Sequence, residues 1–542
     1  MSTPTNVDEQ ILISVYLRRD NHENGMTLQE YTDAVIAGTM TILSRDQFAY
    51  QFGAIEDEVA VVTDWAVAQG LTVVDANSSA ATVKLLGTAG QYNTLFNIEL
   101  QNAVDGDRIY LTHDNELTIP VDIDDVVNLI AGLDNSMSFH SNAYIDPTVP
   151  GPVDPNIISS PTPVDLAAAY KFPSSSGNAQ SQGAGACVAI VELGGGWTTQ
   201  NLTSTFGRIG LANPNVVDVL VDGGVNNPAD ASSSGEVMLD IYCVGAVIPS
   251  GKIAMYFAPN SFQGFIDTII AATNDTVNNP SVISISWGTT DTNWTTPSRQ
   301  AFDAALQASI VQGITTFVAI GDFGTQAISG GPTYTVQYPG TSPYVISSGG
   351  TVITINNDYT IASEVVWKSG ASYSTGGGIS GIYSIPSWQS GKGYSYKIYP
   401  SGTVTSLTTR GVPDVSAMAT GYSFYYSASN TFGTFLGTSA VAPLLSGMMA
   451  RINQLSGSRL GFVNAIWYGS SGAFNDITSG NNAAPAAVGY SGTVGWDACT
   501  GLGSPIGTAL YSLVNPGPSF PVDTTGPRPT SGQAYPRVNY NY

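Results

Sequence analysis

Two carboxylates stand four residues apart in the otherwise uncharged run SSSGEVMLDIY, residues 232–242: Glu236 and Asp240. On a helix that spacing puts both side chains on one face, with Cβ atoms ~5–6 Å apart. No Lys or Arg within the run neutralises them. Close carboxylates share protons and titrate as a unit, so the pair suits a general base and the residue that orients it. A solvated acidic face is the alternative. A serine nucleophile needs such a base, usually His. The three histidines, His22, His113 and His140, all lie in the first 140 residues. A Ser-His-Asp site in the remainder would need a histidine lent by that N-terminal part; otherwise the base is a carboxylate.

The candidate nucleophile is Ser439, in GTFLGTSAVAPLLSGMMARIN, where a helical pattern follows with Pro443 in its first turn. Such a serine is either a helix cap or a nucleophile whose own backbone N–H helps form an oxyanion hole. No GxSxG elbow is present, so a lipase-like arrangement has no support. Asp322, in VAIGDFGTQ, follows an apolar run. It is a turn residue or, protonated in an acidic site, a donor to an oxyanion. Asp476 in FNDITSGNN and Asp497 in GTVGWDACTGLGSP are flanked by glycine-rich carbonyls. Two carboxylates with backbone oxygens suit a hard cation such as Ca²⁺, and equally suit Asp turns. ELGGGW and STGGGIS lack the lysine of a phosphate loop and read as tight turns.

These residues need elements to hold them. From Ala184, short apolar runs (ACVAIVELGGG, KIAMYFAP, SVISISWG, GITTFVAIGD) alternate with helical stretches such as FQGFIDTIIAATND and SRQAFDAALQASIVQG. That alternation predicts an α/β unit, a parallel sheet with helices on both faces and functional residues beyond the carboxyl ends of the strands. Residues 1–141 differ: ILISVYLRR, LTVVDA and ATVKLLG read as strands, DQFAYQFG and VAVVTDWAVAQG as helices, giving a small α+β domain. Residues 142–165, rich in Pro, Asn and Ser, read as an exposed linker. The α/β unit then spans 166–515, and the Pro/Tyr-rich stretch 516–542 reads as a disordered tail.

Composition narrows the function class. Of 542 residues only 11% are charged, and 17 Lys plus Arg face 41 Asp plus Glu, for a net charge of −24. That argues against nucleic acid and against an anionic membrane surface as partners. Near its pI of about 4.1 the chain carries little self-repulsion, which favours acid stability. Three cysteines, Cys187, Cys243 and Cys499, allow at most one disulfide and form no CxxC metal spacing. The start, MSTPTNVDEQ, lacks a basic region followed by an apolar one, so no signal peptide is read there.

Taken together these motifs resemble the sedolisin family of serine-carboxyl peptidases, especially its kumamolisin-like members, from about residue 11 to about residue 515. The resemblance implies a subtilisin-like catalytic domain, a ferredoxin-like activation prodomain and one bound Ca²⁺. GEVMLD is similar to the family's helix carrying Glu and Asp, implying Glu236 as base and Asp240 as its partner. GTSAVAP implies Ser439 as nucleophile, and GDFG followed by YPGTSPYVISSGGT implies Asp322 as oxyanion donor. IVELGGG and SISWG imply Glu192 and Trp287 as an extension of the hydrogen-bond network. DIT and GWD resemble the calcium loop, implying the carboxylates of Asp476 and Asp497 and the carbonyls of Ile477 and Gly495. Thr493 is the fifth ligand implied, with Gly492 as the alternative one residue away, and Leu436 departs from the Ser or Gly common in the nucleophile motif. The function implied is an acid-acting, self-processing endopeptidase, extracellular and monomeric, with protein or peptide substrates and its own prodomain as intramolecular inhibitor. The cut that releases the prodomain is expected within residues 141–165. A tripeptidyl exopeptidase, or a non-catalytic calcium-dependent binding protein on the same fold, are the alternatives.

Overall fold

Short apolar runs become the strands of an eight-stranded sheet in the computed structural model, which describes residues 2–19, 25–106, 108–145, 156–174, 182–426 and 431–515. In spatial order the strands are Asn215–Leu220, Lys252–Phe257, Cys187–Glu192, Val282–Ile285, Thr315–Ala319, Ile346–Ile355 and Ile361–Val366, with Val415–Met418 also paired to Ile346–Ile355. Every pairing is parallel except that of the edge strand Ile361–Val366. Alternate side chains of a strand point to opposite faces. Val188 and Ile190 enter a core with the helices Ser234–Val247 and Val441–Ser456. Cys187, Ala189 and Val191 enter another with Phe262–Asn274 and Thr296–Val311. Burial on both faces is why this strand reads as an unbroken apolar run. All three cysteines are buried and free.

The N-terminal part is a four-stranded antiparallel sheet, in the order Thr72–Asn77, Thr82–Thr88, Gln10–Leu17, Val127–Ala131. Along Gln10–Leu17 the odd positions Ile11, Ile13, Val15 and Leu17 enter this unit's own core, beneath the helices Glu56–Ala68 and Ala89–Phe96. The even positions Ser14 and Tyr16 face the α/β unit. Ser14 Oγ and the Tyr16 hydroxyl donate to the two carboxylate oxygens of Asp267 at 2.6 and 2.8 Å. Lys84 Nζ adds an ion pair to Asp267 at 3.0 Å and a second to Asp222. One strand therefore carries a hydrophobic core on one face and a polar interface on the other.

The stretch expected to be an exposed linker differs from that reading at both of its described ends. Asn142 is 1% exposed, inside the cleft of the α/β unit. At the far end Pro163–Ala169 is a buried helix, entered through a Thr162 capping box with Pro163 in its first turn. Pro, Asn and Ser report turn and cap chemistry; whether they are buried is decided by surfaces supplied from elsewhere in the chain. Residues 146–155 and the tail from 516 lie outside the described residues. Among the described residues no helix is long and apolar enough to cross a membrane.

Candidate active site

Glu236 and Asp240 lie on the first two turns of Ser234–Val247, a helix buried along its whole length, at 1% and 0% exposure. They form no solvated face. Ser439 sits in the one-turn segment Thr438–Ala440 directly ahead of Val441–Ser456, and no side chain caps that helix. Instead of capping, Ser439 Oγ donates to Glu236 Oε2 at 2.9 Å. Behind the pair, Ser286 Oγ donates to both oxygens of Asp240 at 3.1 and 3.0 Å, and Trp287 Nε1 donates to Glu192 Oε2 at 3.0 Å. Glu192 and Ser286–Trp287 lie at and just beyond the carboxyl ends of neighbouring strands, where parallel sheets gather functional groups.

Three carboxyl groups thus sit in one dry cluster, and burial raises the pKa of each. Burial lifts Glu236 to about 7, held back by hydrogen bonds from Ser439, Asp240, Ser141 and Ser286. Asp240 and Glu192 are pushed well above the usual carboxyl range by burial and by the charge of Glu236. Glu236 and Asp240 are hydrogen-bonded to each other and titrate as a unit, which suits a base and the residue that orients it. His140 enters the same cleft, yet the hydroxyl of Ser439 turns to Glu236.

Asp322 follows Thr315–Ala319 and is fully buried. Its Oδ1 accepts from the Thr438 backbone N–H and hydroxyl, both at 2.8 Å, while Oδ2 has no hydrogen-bond partner among the described residues. Burial, and then the charge of Glu236, hold its pKa well above normal. The Ser439 backbone N–H donates to the Asn142 carbonyl at 3.2 Å. A Cβ at Gly437, whose φ is +142°, would lie 1.9 Å from that carbonyl oxygen and 2.7 Å from Asp322 Oδ2. Both oxygens therefore converge beside Gly437, where only a glycine fits.

The candidate calcium residues also come together. The Gly495 N–H donates to Asp476 Oδ2 at 2.9 Å, and the Thr493 N–H to Asp497 Oδ2 at 3.1 Å. A Cβ on Gly492 would approach the Ile477 carbonyl to 3.0 Å. Asp497 is fully buried, its pKa lifted to about 7 by desolvation, and no ion pair among the described residues includes it. Among the described residues no three His, Cys, Asp or Glu side chains cluster as metal ligands, so a cation here would rest on two carboxylates and backbone carbonyls. That all-oxygen set suits Ca²⁺, which also takes water.

Residues 2–136 match the pro-kumamolisin activation domain. The chain is 36% identical to kumamolisin from Bacillus sp. (strain MN-32), over 95% of this chain and 94% of that one. It belongs to the sedolisin family of serine-carboxyl peptidases. Residues 222–463 of this sedolisin-family chain also match the subtilase family. Xanthomonalisin from Xanthomonas sp. (strain T-22) is 28% identical, over 85% of this chain and 60% of that one. The solved structure of Pseudomonas sedolisin, a serine-carboxyl proteinase complexed with pseudo-iodotyrostatin, superposes with a TM-score of 0.56 at 27% identity, covering 66% of this chain and 98% of that one. The protein is accordingly a serine-type peptidase with a subtilisin-like parallel sheet and an N-terminal activation domain. Sequence reasoning brought Ser439, Glu236, Asp240, Asp322, Glu192 and Trp287 to one site. It missed Ser286 and Thr438, although both stand inside the quoted motifs SISWG and GTSAVAP or directly within GTSA. It also missed Asn142 and Gln337, which carry no local signal.

Proposed function

We propose that the protein is an acid-acting endopeptidase, made as a precursor whose prodomain blocks the cleft until the enzyme cuts itself. The observation that carries the reading is the Ser439–Glu236 hydrogen bond of 2.9 Å, in a site where no basic side chain among the described residues is hydrogen-bonded to either. Ser439 Oγ attacks the substrate carbonyl carbon as the ionised form of Glu236 takes its proton, with Asp240 orienting Glu236. The Ser439 N–H and the protonated Asp322 stabilise the developing oxyanion. Glu236 then passes its proton to the leaving amine, and water reverses the sequence to free the acid product.

An internal bond, rather than a terminal tripeptide, is favoured by the path of the chain through the cleft. His140–Ser141 pairs antiparallel with Trp287–Thr290, and Tyr144–Ile145 pairs with Thr431–Leu436 on the other side. Phe139 continues backwards, exchanging hydrogen bonds with the Asn260 side chain at 2.8 and 2.9 Å. The cleft therefore admits chain on both sides of Asn142 with no terminus held in it. The test is to incubate the purified precursor at pH 4 with a long unmodified polypeptide. A mixture of internal fragments is expected, and a ladder of tripeptides alone would favour the exopeptidase. An extracellular location, drawn from the family resemblance, belongs to the same proposal.

The proposal includes one structural Ca²⁺ held by Asp476, Ile477, Thr493, Gly495 and Asp497; when bound, it would neutralise two carboxylates and fix the loop. Added calcium should raise the melting temperature over that in chelator, because a ligand at 100 times its Kd stabilises the native state by about 2.7 kcal/mol. Asp497→Ala is a poor probe. Asp497 also accepts the N–H groups of Thr493, Cys499 and Thr500, so its loss destabilises the loop with or without metal. Asp476 is exposed and accepts only from Gly495 among the described contacts, so Asp476→Asn should abolish the calcium shift with little effect in chelator. Coincident melting curves of the unaltered protein in calcium and in chelator would end the proposal.

A further inference from the structure

Asn142 lies in the cleft as a substrate residue would. Its carbonyl accepts from the Ser439 N–H at 3.2 Å, and its own N–H donates to the Ser286 carbonyl at 3.2 Å. Its side chain enters a buried site in which every amide group finds a partner. Asn142 Nδ2 donates to Gln337 Oε1 at 3.0 Å and to the Ser286 carbonyl at 3.2 Å. Gln337 Nε2 returns a hydrogen bond to Asn142 Oδ1 at 3.1 Å and gives its other hydrogen to the Ala327 carbonyl at 3.0 Å. Both side chains are 1% exposed. The contact to Ala327 fixes the amide of Gln337: its nitrogen must face that carbonyl, so Oε1 is left to accept from the substrate. Gly288 and Gly321 make room for it, since a Cβ on either would come within 2.8 Å of Oε1 or 3.2 Å of Cδ.

We propose that Gln337 is the specificity residue of the S1 subsite, selecting a side-chain carboxamide, and that the first self-cleavage breaks the Asn142–Ala143 bond; this rests on the peptidase reading above. Ser439 Oγ bonds to the Asn142 carbonyl carbon and its proton goes to Glu236. The C–N bond to Ala143 breaks, and Ala143 leaves as an amine carrying that proton. Water then hydrolyses the ester, restoring Ser439 and freeing the Asn142 carboxyl group. A P1 asparagine satisfies both hydrogen-bonding groups of the Gln337 amide. Leucine leaves Oε1 and one Nε2 hydrogen of Gln337 buried and unpaired, while the bond to the Ala327 carbonyl remains. Ionised aspartate sets an acceptor against two acceptors, Gln337 Oε1 and the Ser286 carbonyl. Each loss of this kind discriminates by ~10–100-fold or more.

The purified full chain, brought to pH 4 and sampled early by intact mass and N-terminal sequencing, should first yield a chain beginning at Ala143, with Ser439→Ala uncut as control. The matured protein should then cut a peptide series varied at P1 with kcat/KM for Asn above that for Leu by ~10–100-fold. Asn142→Leu should slow self-cleavage by a similar factor, and adding Gln337→Leu should restore much of the rate, a rescue that a merely structural Gln337 would not give. Failure to cut any bond at any pH would overturn the peptidase reading and this inference together. Cutting without preference for Asn, a first cut elsewhere, or no rescue by the double variant would overturn the S1 assignment and leave the peptidase intact.

Discussion

Ser439→Ala should give a folded precursor that never shortens itself and a site with no measurable turnover. The loss in kcat is expected on the order of 10⁶-fold, the scale seen when a nucleophile acting as one unit with its base is removed. The structural change is small. One buried hydroxyl disappears, and with it the bond to Glu236 Oε2 at 2.9 Å; among the described residues that Oγ makes one other contact, a weak one of 3.5 Å to the Ser286 carbonyl. Glu236 still has Asp240 to share a proton with, so stability should change by only about 1 kcal/mol. The Asn142 carbonyl keeps its hydrogen bond to the backbone N–H of residue 439, so the chain should remain threaded through the cleft. Intact mass at pH 4 and a melting curve answer both halves. A normally shortened chain from the variant, with no other protease present, would remove Ser439 from the mechanism.

How much of this was legible depended on whether the cause was local. The strand Cys187–Glu192 announced itself because both its faces are buried, and Glu192 stood at its end because the apolar run stops where the sheet stops. Glu236 and Asp240 were legible as a pair because a helix converts a spacing of four into one face. What the pair serves was legible only through what the chain lacks, a histidine beyond residue 140. The alternation in Gln10–Leu17 marked a strand, but nothing local told that Ser14 and Tyr16 face Asp267, some 250 residues away. The meeting of Asn142 with Gln337 spans 195 residues and two amide side chains of unremarkable surroundings. Composition around Asn142 even pointed the wrong way, towards exposure, because turn-forming residues also suit a strand that borrows its hydrogen bonds from another domain. Thr438 was visible as part of a motif, whereas its task of holding Asp322 Oδ1 needed the fold.

The second large effect concerns Asp322 and the need for acid. Thr438 occupies Oδ1 with two donors, so the proton of a neutral Asp322 belongs on Oδ2, the oxygen beside the Asn142 carbonyl. Once Asp322 ionises, that donor becomes a repelling charge. Removing such a donor typically costs on the order of 10²–10³ in rate, and repulsion adds to it. Burial and the charge of Glu236 raise the pKa of Asp322, so ionising the base helps the donor keep its proton. Asp322→Asn keeps an oxygen for Thr438 and an N–H₂ for the oxyanion at every pH. It should be weaker than the unaltered enzyme at pH 4, stronger than Asp322→Ala, and flatter between pH 5 and 7, with the prodomain removed by another protease beforehand. Unfolding is the competing cause of an alkaline fall, and its sign is the same. Glu236 at about 7 and Asp303, buried on the helix Thr296–Val311, at about 6 hold protons in the folded chain that an unfolded carboxyl releases near its usual value of about 4. Their contribution to stability is complete below about pH 4 and is lost as pH rises through those folded values. Melting temperature must therefore be followed beside rate. A variant that stays folded yet falls as steeply as the unaltered enzyme would move the alkaline limb from Asp322 to the Glu192–Glu236–Asp240 cluster.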